Sequence, residues 1–446
     1  MELNAAYLQQ KLNQLSRLPR YYVAFSGGVD SCVLLYLLNQ LRQQQPELDI
    51  KAIHVNHGLQ TQAGDWARYC QNVCDELEIP LLIKSVKVVL DNGQSPEAAA
   101  REARYAVFRE MLGEGEGLFM AHHQDDQAET VLLQLFRGAG AAGLAAMPES
   151  IAFEKGWLLR PFLGVAREQI EDYANQHGLK WIEDPSNIDT GFDRNFLRHD
   201  IIPKLTCRWP SLNTTLSRVA SHQAEAARLL DVLAEQDYQL AQGQTPQTLS
   251  VSAVLMLDAG RQRNLLRYWL KTICQLSTPD SRHLQRILSE VLLAAVDASP
   301  LVEWGEVEVR RYRDELYALS ASSAKDVAES FLQQPWNLDK PFILPDGSTL
   351  QIKQTQGKGL KQSLAKRSDV SVGFRQGGED CRPVGRGHRH SLKKLMQEWG
   401  IPPWQRDHIP LLFVGDEPAQ VVGYCLCEPF QAEPDEIGLF ISQTGV

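Results

Sequence analysis

No stretch of about 18 consecutive apolar residues occurs in the 446-residue chain, so no membrane-spanning helix is expected. The opening segment MELNAAYLQQKLNQL lacks the apolar core of a secretory leader, and the expectation is a cytoplasmic protein without membrane contact. Basic charge is short as well. The 45 Lys and Arg against 55 Asp and Glu leave a formal net charge of -10, which argues against wholesale coating of nucleic acid and confines any RNA contact to local patches. Eight cysteines over this length do not make a disulfide framework, and no Cys-x-x-Cys pair is present. Cys70 and Cys74 are spaced to share a helix face; Cys425 and Cys427 lie two apart in an apparent strand, VVGYCLC, and point the same way. Neither pair has zinc-ribbon spacing, and both read as structural thiols.

What is present is a folded, multidomain chain. Apolar residues make up 43%, and the length exceeds one ordinary core, so two or three domains are expected. Between residues 20 and 135, the apolar runs YYVAF, IKAIHV, LLIKSVKV and GLFMAH read as strands. They alternate with helical patterns, the first of which repeats Val33, Leu34, Leu37, Leu38 and Leu41 at helical spacing. Ser95, Pro96 and Glu97 read as a helix start, with a cap, a proline in the first turn and an acid. This alternation predicts an α/β fold with a parallel sheet covered on both faces, and ligands beyond the carboxyl ends of its strands. After about residue 210 the chain becomes rich in Ala, Leu, Gln and Arg at helical spacing; residues 300 to 355 read as short strands, and a compact mixed segment follows. The reading therefore has a catalytic domain over 1–214, a mostly helical domain over 215–330 and a small mixed α/β domain over 331–446.

The strongest motif is Ser26-Gly27-Gly28-Val29-Asp30-Ser31, between the first strand and its helix. Adjacent glycines let the backbone turn sharply and approach a ligand, and the following helix N-terminus offers amides to an anion such as a phosphate chain. The loop has no Walker lysine and no three spaced glycines. An ordinary strand-to-helix turn needs neither a serine at each end nor an acid facing its own loop. The second motif, Ala121-His122-His123-Gln124-Asp125-Asp126-Gln127-Ala128-Glu129-Thr130, starts the helix after the fourth strand and belongs at the same sheet edge. Asp126 and Glu129 are three apart, and Asp125 and Glu129 four apart, so the carboxylates share a helix face. One acid would suffice for a cap. Arg101 and Arg104 lie one turn apart on the preceding helix and, taken alone, read as solvated surface residues.

The loop resembles the PP-loop of the ATP-pyrophosphatase superfamily, with its adenine-nucleotide α-hydrolase-like sheet. The ordered series His54-Val55-Asn56-His57-Gly58-Leu59, Ser95 to Tyr105, the acidic run, Arg137-Gly138-Ala139-Gly140, Arg160-Pro161-Phe162, Asp184-Pro185-Ser186-Asn187 and Arg194-Asn195-Phe196-Leu197-Arg198 is similar to the tRNA(Ile)-lysidine synthetase family. One departure is Gln60, where that family often has arginine. The resemblance implies that ATP adenylates C2–O of the wobble cytidine in a tRNA(Ile) with a CAU anticodon, and that free L-lysine displaces AMP. It implies Ser26, Gly27, Gly28, Val29, Asp30 and Ser31 around ATP, magnesium at Asp30 and Asp125, and Asp30, Arg104, Asp126 and Glu129 as catalytic residues. Asp126 or Glu129 is expected to hold the lysine ammonium. A homodimer is carried as an expectation about assembly. For RNA, the candidates are Arg261, Arg263, Arg267 and Lys271, and Arg375, Arg382, Arg386, Arg389, Lys393, Lys394 and Arg406 with Trp399 and Trp404. Rival readings are a tRNA thiolase, which needs a reactive cysteine or cluster near the nucleotide, a small-molecule amide synthetase active without RNA, and a non-catalytic ATP sensor or RNA scaffold.

Overall fold

The computed structural model describes residues 2–13, 18–58, 62–88, 96–295, 298–320 and 331–445. Gln60 and the expected cap Ser95 lie outside them. The chain divides into two compact units, Met1–Leu230 and Asp231–Val446.

The first unit contains α1 (Ala5–Asn13), β1 (Tyr21–Ala24), α2 (Val29–Gln44), β2 (Ile50–Asn56), α3 (Ala63–Glu76), β3 (Leu81–Ser85), α4 (Pro96–Met111), β4 (Gly117–Phe119), α5 (Gln124–Phe136) and α6 (Ala141–Leu144). There follow β5 (Ser150–Phe153), β6 (Gly156–Leu159), α7 (Arg167–Gln176), a 3-10 turn Pro185–Ile188, α8 (Asp193–Phe196), a π turn Leu197–Ile201 and α9 (Ile202–Arg208). Helix α10 (Leu212–Ala241) carries the division between the units inside it. The sheet order is β3-β2-β1-β4-β6-β5, parallel except for the β5–β6 hairpin. Because β2 and β3 extend to one side of β1 and β4 returns to the other, the strand order reverses between β1 and β4. Loops after those two strands flank the crevice where such sheets bind ligands.

Apolar spacing explains the layering. Val33, Leu34, Leu37, Leu38 and Leu41 of α2 are all buried against Val23, Phe119 and Leu159 of the sheet. The opposite face carries Tyr22, Ile53, Leu118 and Leu158, covered by Phe108 and Leu112 at and just beyond the end of α4. Alternate strand residues thus fill two cores, as a sheet buried on both faces requires.

The second unit opens with β7 (Leu249–Ser250), α11 (Val251–Leu255), α12 (Ala259–Tyr268), a π turn Trp269–Ile273, α13 (Ser281–Arg286), a π turn Ile287–Val291, β8 (Leu301–Trp304), β9 (Val307–Tyr312) and β10 (Glu315–Ser320). Its helices pack Leu265, Trp269 and Ile287 against Val302, Val309 and Leu316. The remaining chain forms a five-stranded and a four-stranded sheet around Leu350, Val372, Leu412 and Ile441.

Candidate active site at the sheet switch point

The glycine loop leaves β1 at Phe25, and its shape depends on Gly27, whose φ is +86°. A Cβ there would sit 2.6 Å from Ile182 Cδ1 and 3.1 Å from Cys70 Sγ, so both conformation and space call for glycine. The Gly27 carbonyl accepts from Ile182 N–H at 2.9 Å, which ties the loop to the segment after α7. Ser26 Oγ and Ser31 Oγ lie 3.1 Å apart, and Ser31 Oγ donates to Gly28 O at 3.0 Å, closing the loop on itself. Gly28 caps α2 with no side-chain bond, so the first-turn amides of Val29, Asp30 and Ser31 have no side chain occupying them. Beneath the loop, His54 Nδ1 lies 2.9 Å from Phe25 O, and burial holds its imidazole below the usual histidine range.

Helix α5 begins with a reciprocal cap. Asp125 N–H donates to His123 Nδ1 at 3.2 Å, and His123 N–H donates to Asp126 Oδ2 at 3.0 Å. With Nδ1 an acceptor, the ring proton belongs on Nε2, which lies 3.4 Å from Asp126 Oδ2 and 3.8 Å from Asp30 Oδ1. His123, 1% exposed, therefore stands between the two loops. Asp30 Oδ1 is buried without a hydrogen-bond partner. Burial raises its carboxyl above the usual range, against the opposing pull of His123, Arg167 and Arg198.

The acidic pair of α5 is already neutralised. Glu129, 1% exposed, accepts from Arg194 Nε at 2.8 Å and from Arg198 Nε and Nη2 at 2.6 and 3.0 Å. Asp126 Oδ1 accepts from Arg198 Nη2 at 3.0 Å. Burial opposes ionisation of Asp126, but His123, Arg194, His122 and Arg198 together outweigh it and hold the carboxyl well below the usual range. Asp126 and Glu129 are thus brought together as expected, yet engaged by arginines. Those arginines lie in the Arg194 to Arg198 segment, where α8 passes into the π turn and i, i+4 spacing puts both on one face. Their sequence position carried a resemblance but no role; the i, i+4 arginine pair marks one basic helix face but does not name the acids opposite it.

Asp125 stands apart from Asp30. Its Oδ1 is 3.9 Å from His123 Nδ1 and accepts from Arg167 N–H at 3.3 Å, so the two carboxylates approach opposite nitrogens of one ring. Among the described residues, no three His, Cys, Asp or Glu are grouped to hold a metal ion. Arg104 lies near His57 and His122 and disfavours protonation of both, adding to the larger effect of desolvation. Arg101 is exposed and stacks over Tyr105 at 5.0 Å. Cys32, Cys70 and Cys74, around the loop, are buried, and burial pushes all three thiols up.

The basic candidates of the second unit are mostly committed. Arg382 pairs with Glu428 at 2.7 Å, Arg386 with Glu398 at 2.7 Å, Arg375 with Asp407 at 3.1 Å, and Arg261 and Arg389 pair with Asp237 and Glu417. Arg406 is buried and donates to Ile401 O. Trp404 is wedged against Tyr312 and Tyr317 under Arg310, whereas Trp399 stacks on the exposed Tyr424 at 5.4 Å. Lys393 and Lys394 are exposed. No helix among the described residues is long and apolar enough to cross a membrane.

Comparison with known proteins agrees with this architecture. Residues 2–205 match a family model described as PP-loop domain, 249–317 the TilS substrate binding domain, and 370–442 the TilS substrate C-terminal domain. A tRNA(Ile)-lysidine synthase of Coxiella burnetii is 45% identical over 419 residues, covering 94% of this chain and 92% of its own length. Counterparts of the same name in Methylococcus capsulatus and Alkalilimnicola ehrlichii are 42% and 41% identical, covering 95% and 97% of this chain and 96% of each relative. With a PP-loop sheet at its N-terminus and such identity along nearly its whole length, the chain belongs to the tRNA(Ile)-lysidine synthase family.

Proposed function

We propose that this protein is a cytoplasmic ligase that joins free L-lysine to C2 of the wobble cytidine of a tRNA(Ile) with a CAU anticodon, through an adenylated cytidine, releasing AMP and pyrophosphate. The observation that carries this reading is the meeting, at the switch point, of an uncapped glycine loop, the unpartnered Asp30 oxygen and the acidic start of α5, in a chain of this family. Residues 1–214 would do the chemistry, with 215–330 and 331–446 gripping the tRNA.

In this account the backbone of Ser26, Gly27, Gly28, Val29 and Ser31 cradles the ATP phosphates, for which the first-turn amides of α2 are suited. The orphaned Asp30 oxygen fits magnesium, which would supply neutralisation of phosphate charge; Asp30 would hold it, whereas Asp125, on the other side of the His123 ring, does not join it in this arrangement. Arg104 offsets negative charge on the phosphates or on the C2 oxygen as AMP departs. The ε-amine of lysine, with a pKa of about 10.4, is neutral in about one molecule in 2,500 at pH 7, a deficit of roughly 4.6 kcal/mol that must be offset beside the acceptor carbon. Asp126, less enclosed than Glu129, is the one that would meet the ammonium. Glu129, shut from solvent by two guanidinium groups, acts by holding Arg194 and Arg198 in place.

The thiolase alternative is weakened by the raised, buried thiols of Cys32, Cys70 and Cys74, which provide no nucleophile beside the loop. An amide synthetase would work without RNA. The deciding experiment is incorporation of labelled lysine into a tRNA(Ile) transcript with a CAU anticodon. Label that requires ATP and is lost when the wobble base is uridine supports the reading; ATP cleavage driven by a free carboxylate without RNA replaces it.

A further inference from the structure

The run His54-Val55-Asn56-His57-Gly58-Leu59 carried a resemblance without a role, and its first residue lies beneath the glycine loop. His54, 5% exposed, belongs to β2, the strand paired with β1. Phe25 N–H donates to Ile53 O at 2.8 Å, so the two strands are still joined where β1 gives way to the loop. The next residue along β2 then closes on the same peptide: His54 Nδ1 is 2.9 Å from Phe25 O. A carbonyl oxygen only accepts, so Nδ1 carries the ring proton and donates it. Burial disfavours a second proton, which keeps the ring neutral in that tautomer. Cys70 Sγ is 3.4 Å from Nδ1 and would be 3.1 Å from a Cβ on Gly27, so it fills the space between ring and loop.

Peptide planarity gives this bond a consequence at the loop surface. In a trans peptide the C=O of one residue and the N–H of the next point in opposite directions, so anchoring a carbonyl inward turns the following amide outward. Three carbonyls here are anchored. Phe25 O accepts from His54; Gly27 O accepts from Ile182 N–H at 2.9 Å and from Cys32 Sγ at 3.3 Å; Gly28 O accepts from Ser31 Oγ and Cys32 N–H, both at 3.0 Å. The amides they orient belong to Ser26, Gly28 and Val29, and Gly28 N–H makes a long bond of 3.4 Å to Ser26 Oγ. Gly27 and Gly28 are each held partly by backbone N–H groups that no substitution removes. The donor to Phe25 O is a side chain from a neighbouring strand.

We propose that His54 is a positioning residue for the nucleotide: by holding the Phe25 carbonyl inward, it aims the Ser26 amide at the phosphate chain of ATP. The inference rests on reading the glycine loop as the phosphate cradle and is independent of which acceptor is adenylated. His54 touches neither ATP nor the acceptor and moves no proton. Without it the 25–26 peptide can rotate, and an amide bond to a charged phosphate, worth about tenfold or more in affinity, is lost.

The test compares three substitutions in the full-length protein by titration with α,β-methylene ATP and magnesium. Asn offers an N–H at the place of Nδ1, Gln carries the same amide one bond farther out, and Leu keeps apolar bulk with no donor. His54→Leu and His54→Gln should weaken binding about tenfold or more, and His54→Asn should stay within about threefold of the parent. In lysine incorporation, Leu and Gln should raise KM for ATP while kcat holds at saturating ATP. A purely structural role would lower the folded fraction, and with it kcat, at the parent's KM; that result overturns the assignment, as does a His54→Leu protein that binds like the parent. A parent that binds no analogue removes the phosphate cradle itself, and this inference with it.

Discussion

Replacing Glu129 with glutamine keeps the side chain's shape and removes the charge that two arginines enclose. The carboxylate, 1% exposed, receives three N–H···O bonds of 2.6 to 3.0 Å from Arg194 and Arg198. Breaking a buried pair costs about 3–5 kcal/mol, because the surviving charge loses its partner. Here the arginine side chains are 22% exposed and Asp126 remains as a second counter-ion, so the lower end, about 3 kcal/mol, is expected. For a unit of some 200 residues this lowers its melting temperature by about 6–12 °C. Calorimetry on Glu129→Gln, Arg198→Gln and the double variant measures both the loss and the coupling. A coupling of at least about 1.5 kcal/mol is expected for groups sharing one buried network. A Glu129→Gln protein that melts within 3 °C of the parent, with additive single effects, would refute the assignment of Glu129 as the anchor of the arginine pair.

Asp30→Asn should lower kcat by about 100-fold or more, the loss typical of one electrostatic group at a reacting centre. Its melting temperature should hold or rise, since the amide lacks the buried charge that raises the Asp30 carboxyl; full activity would remove Asp30 from the chemistry. Gly27→Ala places a Cβ at φ +86° against Ile182, and a strain of about 1–2 kcal/mol should lower kcat/KM for ATP by roughly 5- to 30-fold; an unchanged value would count against a rigid loop. Acid should weaken the first unit before carboxylates titrate. His122 is pushed down to about 3, first by desolvation, so below pH 6.5 the unfolded chain takes up the proton and the native one does not. That difference is absent above pH 6.5 and grows to about 2 kcal/mol at pH 5, so denaturant titrations should show His122→Asn flattening the slope; an unchanged slope would exclude His122 as its source.

Strand and helix alternation, the glycine loop and the acidic helix start were legible because each rests on local spacing. Tyr21 to Phe25 alternates with the helix that follows, and Gly27 and Gly28 announce a turn wherever they fall. The pairing of Glu129 with Arg194 and Arg198, 65 and 69 residues onward, was not legible, because periodicity reports which face a residue takes and not what lies opposite. The β5–β6 hairpin was missed because Glu154 and Lys155 turn the chain without glycine, Glu154 adopting φ +51°. Several arginines of the candidate RNA-facing patch also pair with acids distant in sequence, such as Arg382 with Glu428, which the sequence did not show.

The central claim is that ATP activates the C2 oxygen of the wobble cytidine. The measurement that tests it most directly uses a tRNA carrying ¹⁸O at C2 of that cytidine, with lysine, ATP and magnesium, and mass analysis of the AMP released. The account predicts that AMP carries the ¹⁸O, because that oxygen leaves with the phosphate when the amine takes its place; lysine incorporation with unlabelled AMP would contradict it.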